Sequence, residues 1–132
     1  MIFRESFEVS TQTFNYVDIT KDIEKLVEKS KVKEGLCHVF LPGTTAGIVL
    51  NEMDPFLMED FKRVFRQLID DKKMYSHPDN APSHLRAALL QQSISLPVSK
   101  SKLMRGTWQS ILLWEFDVKP RARQIVVTVT GE

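Results

Sequence analysis

The stretch LCHVFLPGTTAGIVLNE, residues 36–52, decides the reading of the fold. Two apolar runs, Leu36–Leu41 and Gly47–Leu50, flank the short connection from Pro42 to Ala46. The first run is so continuously apolar that it predicts a central strand covered on both faces, and the second predicts another buried strand. The connection between them is then a tight one, holding the hydroxyls of Thr44 and Thr45 on a rigid scaffold. A turn of this kind, with the freely oriented backbone of Gly43, suits a phosphate. It is equally well read as a turn satisfied by its own threonine hydroxyls.

Working outward, Asp54-Pro55 supplies an acidic cap and a proline for the first helical position. Leu57, Phe61, Val64, Phe65 and Leu68 recur at helical spacing and predict the core face of the helix that follows. Residues 70–82 are polar and carry two prolines, which predicts a loop. A second helix is expected over Ser83–Leu90 with Leu85, Ala88 and Leu89 facing in. The remainder reads as strands at Ile94–Val98, Thr107–Phe116 and Arg121–Thr130, with Ile125, Val127 and Val129 on one face and a hairpin forming the last third. Upstream, Phe3 to Ser10 alternates like a half-buried strand. A short Phe14–Val17 strand follows, then a helix capped by Thr20 that buries Ile19, Ile23, Leu26 and Val27. The order of elements predicts an α+β fold: a mostly antiparallel or mixed β-sheet core with two to three helices packed on it, in a single compact domain spanning residues 1–132.

The chain has 132 residues, 42% of them hydrophobic and 27% charged, and its 18 basic side chains balance 17 acidic ones to a net charge of +1. That balance argues against a generic nucleic-acid binder, which carries a basic excess. A lone cysteine, Cys37, makes no internal disulfide, and Arg4 and Glu5 stand where a signal peptide needs an apolar core, so a cytoplasmic location is expected. No apolar run approaches the roughly 20 residues that span a bilayer, and no membrane partner is expected.

Three histidines are present. His38 lies mid-strand among apolar neighbours and reads as a structural histidine or one facing a subunit contact. His77 and His84 bracket the irregular Pro78–Ser83 segment, where a loop and a helix start can converge on one point. Their spacing matches no zinc framework, and a metal would need a third ligand from Glu52, Asp54, Asp60 or Asp79. Glu52 follows a buried strand directly and can point into a cleft at its end; Asp54 is better read as the helix cap. Gly106-Thr107-Trp108-Gln109 is unusual as well: Trp108 either fills the core or stacks on a ligand, and the Gln109 amide must find a partner. Glu115 and Asp117 face Arg121 and Arg123 across the predicted turn and read as surface ion pairs. Dinucleotide, P-loop and serine-hydrolase signatures are absent, and Cys37 in its apolar strand reads as an inert buried thiol.

Taken together, Thr44-Thr45-Ala46-Gly47 through Glu52, then Asp54-Pro55 and Asp60, Tyr75-x-His77, Asp79-Asn80-Ala81-Pro82-Ser83-His84, Gly106-Thr107-Trp108-Gln109, Glu115, Arg121-x-Arg123 and the terminal Gly131-Glu132 closely resemble the YjbQ-like family, also called the secondary thiamine-phosphate synthase family. The resemblance implies an α+β subunit, a homotrimer, and a polar cleft acting on a phosphorylated small molecule, with a divalent metal ion, Mg or Zn. It further implies a weak or secondary thiamine-phosphate synthase activity, which joins a pyrimidine diphosphate to a thiazole phosphate and releases diphosphate. Carried over by position, His77, His84 and Glu52 are the expected catalytic residues. Thr44, Thr45, Asn80, Trp108 and Gln109 are expected to bind substrate, and His77 and His84 to hold the metal. One departure stands out, since many members have a histidine where this chain has Gly43. The alternatives are a non-catalytic trimeric ligand- or metal-binding module and a metal-dependent phosphohydrolase with Glu52 as its base.

Overall fold

The structure, a computed structural model, describes residues 1–132 and contains eight strands and three helices. Strands β1 (Ile2–Ser10), β3 (Glu34–Phe40), β5 (Ser93–Ser99), β6 (Lys102–Leu103) and β8 (Ala122–Gly131) form one sheet in the order β1-β8-β3-β5-β6. Strands β2 (Asn15–Asp18), β4 (Ala46–Asn51) and β7 (Ser110–Glu115) form a second, in the order β2-β7-β4. Every pairing is antiparallel. The expected α+β architecture holds, with three helices: α1 (Thr20–Ser30), α2 (Pro55–Leu68) and α3 (Ala81–Ala88).

Side-chain alternation sorts the core into two layers. Cys37 and Val39 of β3, Leu96 and Val98 of β5, and Ile125, Val127 and Val129 of β8 point toward Ile48, Ile111 and Leu113 of the smaller sheet. Ile19, Ile23 and Val27 of the α1 segment close the same layer. On the other face of the small sheet, Leu112, Trp114 and Phe116 pack on Met58 and Phe65 of α2 and Ala87 of α3. The strand covered on both faces is therefore β7, whose residues from Ile111 to Glu115 are all buried.

That layering corrects the reading of β3. Its inner side chains are fully buried, but Leu36 is 52% and Phe40 41% exposed because no layer covers the outer face of the larger sheet. His38, between them, is exposed too. The predicted terminal hairpin is also corrected: β7 and β8 belong to different sheets, so the segment joining them crosses between layers.

Helix α2 begins where expected, with the Asp54 side chain accepting from Phe56 N at 3.3 Å and Pro55 at the first position. Its buried face is Met58 and Phe65 with Leu57 and Phe61 beside them, while Val64 and Leu68 point outward. Rotation of the helix brings Phe61 and Phe65 onto Trp114, with ring centroids 5.9 and 5.2 Å away. Helix α3 turns the opposite way from expectation. Leu85 and Leu89 are 40% and 51% exposed, and Ser83, Arg86 and Ala87 face inward. The cause is Arg86, whose guanidinium donates to the carbonyls of Phe65 and Ile69 at the end of α2 and pairs with Asp71 at 2.9 Å. A cation at a helix C-terminus satisfies carbonyls that would otherwise lack donors. At α1 the cap position is held by Ile19, which makes no side-chain cap bond, and Asp18 just before it accepts from Thr20 N at 3.0 Å, so Thr20 is the first helical residue and not the cap. Thr20 instead holds Ile111 N at 2.8 Å and ties the helix start to β7.

Candidate functional site

The Pro42–Thr45 connection carries β3 of one sheet into β4 of the other, and behind it lies a buried ionic network. Glu115, fully buried, accepts from Arg123 Nε at 2.8 Å and Nη2 at 2.5 Å, from Thr11 Oγ1 at 2.6 Å and from Asp117 N at 3.1 Å. Charges taken out of water persist only when paired and hydrogen-bonded in this way. The pairs expected from sequence are present, Arg123 with Glu115 and Arg121 with Asp117 at 2.7 Å. The first is no surface pair, because the segment joining β7 and β8 passes between layers.

Thr45 belongs to this network. Its hydroxyl accepts from Arg123 Nη2 at 2.8 Å and donates to Asp117 Oδ2 at 3.3 Å, which leaves Thr44 as the exposed hydroxyl of the pair. Gly43 has φ of +146°, and a Cβ there would stand 2.7 Å from Arg123 Nη1. Glycine is thus demanded twice, by its backbone conformation and by the guanidinium behind it.

Asp117 also forms a wall of a cleft of about 490 Å³ that includes Phe14, Arg66, Lys73, Tyr75, His77 and Asn80. His77 Nδ1 lies 2.8 Å from Pro78 O. A carbonyl only accepts, so the proton sits on Nδ1 and Nε2 is left free. The His84 ring lies 4.9 Å from that of His77, centroid to centroid. Arg66 stacks over Phe14 at 4.2 Å, and neither Arg66 nor Lys73 has a carboxylate within ion-pair distance; of the three carboxylates that line the same cleft with Arg86, Asp71 pairs with Arg86 and Asp117 with Arg121, and Asp79 has no ion pair. The two histidines offer a metal two nitrogens, one fewer than the usual minimum of three protein ligands. No third His, Cys, Asp or Glu joins them in the chain, so the donor set does not fit a resident metal and no step is routed through one.

The remaining expected site residues lie elsewhere. Asn51 pairs with Ser110 at one end of β4 and β7, and Ala46 pairs with Glu115 at the other. Glu52, Trp108 and Gln109 therefore stand beyond the opposite end of the small sheet from Thr45, with the length of β4 between them, about 17 Å at roughly 3.3 Å per residue. Glu52 is exposed and lines no cleft with the histidines. Trp108 is 73% exposed, which removes the core-filling reading. Gln109 finds its partner locally, its Oε1 accepting from Gly106 N at 2.7 Å. Sequence reasoning missed Arg66, Lys73 and Tyr75 as cleft residues. The available signal for the network was a glutamate and an arginine inside strands otherwise apolar enough to be buried. Cys37 is buried as expected, and burial raises its thiol pKa to about 11.

Comparison with known proteins identifies the family. The family model described as UPF0047 protein YjbQ-like matches residues 5–132. A UPF0047 protein of Archaeoglobus fulgidus is 41% identical over 84% of this chain and 87% of its own length. The UPF0047 protein YjbQ of Escherichia coli O157:H7 is 33% identical over the full length of both. The crystal structure of a protein of unknown function from Sulfolobus solfataricus P2 superposes with a TM-score of 0.91 at 37% identity, covering 100% of each chain. With the family model spanning nearly the whole chain and the same fold in a relative of equal length, the chain belongs to the YjbQ-like UPF0047 family.

Proposed function

We propose that the chain is a cytoplasmic enzyme that acts on a phosphorylated small molecule in the His77 cleft, with a weak thiamine-phosphate synthase activity. One observation carries the reading: Arg66 and Lys73, neither in an ion pair, share a cleft with Asn80 and with His77, whose Nε2 is free, while the cleft's Asp71 and Asp117 are taken up by Arg86 and Arg121. Two cations and an imidazole suit an anionic substrate group. In the reaction, the thiazole nitrogen forms a bond to the pyrimidine methylene carbon while the C–O bond to diphosphate breaks. The bonding electron pair leaves on the diphosphate oxygen. That carbon tolerates positive charge, so stabilising the leaving group matters more than a strong base. Arg66 and Lys73 hold the departing charge, and a protonated His77 donates to the leaving oxygen, with His84 beside it. Thr44 supplies the free hydroxyl of the neighbouring turn.

The test is synthase turnover with the two phosphorylated substrates, run with and without added Mg or Zn. His77→Ala should lower the rate by about a hundredfold, in the usual range for a lost acid or base. Wild-type turnover in both His77→Ala and His84→Ala ends this assignment. A second reading, a non-catalytic binding module, is favoured by the separation of Glu52, Trp108 and Gln109 from the histidines. Saturable substrate binding without turnover supports it, and phosphate release from generic phosphoesters supports a hydrolase instead.

We also propose that three copies assemble through the uncovered face of the five-stranded sheet. Ile2, Leu36 and Phe40 are exposed there, 73%, 52% and 41% respectively. Thr130 and His38 lie between them in register, and exposed large apolar side chains on a face that no layer of the chain covers support association there.

A further inference from the structure

A second concave region, of about 960 Å³, lies between α1 and the β5–β6 hairpin, away from the His77 cleft. Lys21 and Lys25 enter it from α1, Lys100 and Lys102 from the hairpin, and Arg105 from the loop that follows. Against them stand Glu24 and Glu28, which leaves the cleft at +3 while the whole chain carries only +1. The basic excess of the molecule is gathered here, and a concave surface focuses such a field. Arg105 is already committed, with Nη1 donating to Gln109 O at 2.6 Å and Nη2 3.5 Å from Glu24. None of the four lysines has a carboxylate within ion-pair distance.

The hairpin that brings two of them is itself costly. Lys100 and Ser101 both adopt left-handed backbone, with φ of 53° and 65°, where a two-residue turn favours Asn-Gly. Glu34 pins the turn, accepting from Lys100 N at 2.9 Å and Ser99 Oγ at 3.1 Å. Its carboxylate is thereby taken up by the turn rather than by a lysine. A strained turn of exposed residues that adds nothing to the core suggests a role for what it displays.

We propose that this cleft binds a compact polyanion bearing two or more phosphate groups, held by Lys21, Lys25, Lys100 and Lys102. Lysines from two separate segments reach around one cavity, so linked phosphates engage both sides at once and a single phosphate does not. The site is independent of the synthase assignment, and its residues take no part in the His77 cleft.

Calorimetric titration of the intact chain with inorganic tripolyphosphate at low salt tests it. Saturable binding is expected, weakened about tenfold or more in Lys25→Glu/Lys102→Glu and again by raised salt, because the contacts are exposed and screened. Arg63→Gln, which removes a surface cation outside both clefts, should keep the wild-type affinity within about twofold. The neutral pair Lys25→Gln/Lys102→Gln repeats the measurement if charge reversal disturbs folding. No saturable binding, wild-type affinity in the lysine variants, or equal weakening by Arg63→Gln overturns the proposal. The synthase assay reads His77 alone and is unaffected by that outcome.

Discussion

At Gly43 the chemistry of one residue is set by its neighbour. A side chain there needs φ of +146° and a Cβ 2.7 Å from Arg123 Nη1, and Arg123 cannot step aside while it holds Glu115 and Thr45. Gly43→His should therefore destabilise the fold by about 1–3 kcal/mol, read as a lower urea midpoint, before it affects any metal. An unchanged midpoint would show that the turn has room the geometry denies. The histidine that the family resemblance leads one to expect at this place would thus require a different turn, one this chain does not have. From sequence alone, Gly43 shows only a missing histidine, because the guanidinium behind it comes from a strand about 80 residues away in the chain, and only the three-dimensional arrangement sets the two side by side.

At the scale of elements, the joint between β7 and β8 decides which charges matter. Because it passes from one sheet to the other, the Arg123–Glu115 pair is interior, at 5% and 1% side-chain exposure. Arg123→Gln leaves Glu115 buried without its partner and should cost about 3–5 kcal/mol in denaturant unfolding. Arg63→Gln, which breaks an exposed pair with Asp60, should cost about 0.5 kcal/mol or less. Equal costs would place both pairs at the surface. The strands themselves were legible from period-two alternation, as Ile125, Val127 and Val129 illustrate. Their sheet membership was not, since neighbouring strands in sequence make a hairpin by default and only packing reveals the exception. The face of α3, and Val64 and Leu68 on that of α2, differ from expectation for a related reason: Met58 joins Leu57, Phe61 and Phe65 on the packed side of α2, and Arg86 takes the place of Leu85, because tertiary partners outweigh a side chain's average preference.

For the whole molecule, one large face remains uncovered by the chain's own layers. Across it run Ile2, Thr130, Leu36 and Pro97 in one register and Ser6, Val126, Phe40 and Ser93 in another. If three copies meet here, Leu36→Glu/Phe40→Glu should convert a trimeric solution mass to a monomeric one without loss of secondary structure, since neither side chain serves the core. A monomeric mass for the unaltered chain ends the proposal. No helix is long and apolar enough to cross a membrane.

By itself the sequence determined the α+β class, most strand positions, the Asp54-Pro55 helix start and the family to which the chain belongs, because these follow from local periodicity, capping and spaced motifs. Tertiary structure alone decided that β7 rather than β3 is the strand covered on both sides, and that Glu115 and Arg123 form an interior pair. It also decided that His77 and His84 stand apart from Glu52, Trp108 and Gln109. The reason is physical: alternation tells a residue which side of its strand it occupies, but what lies on that side is supplied by chain segments far away in sequence.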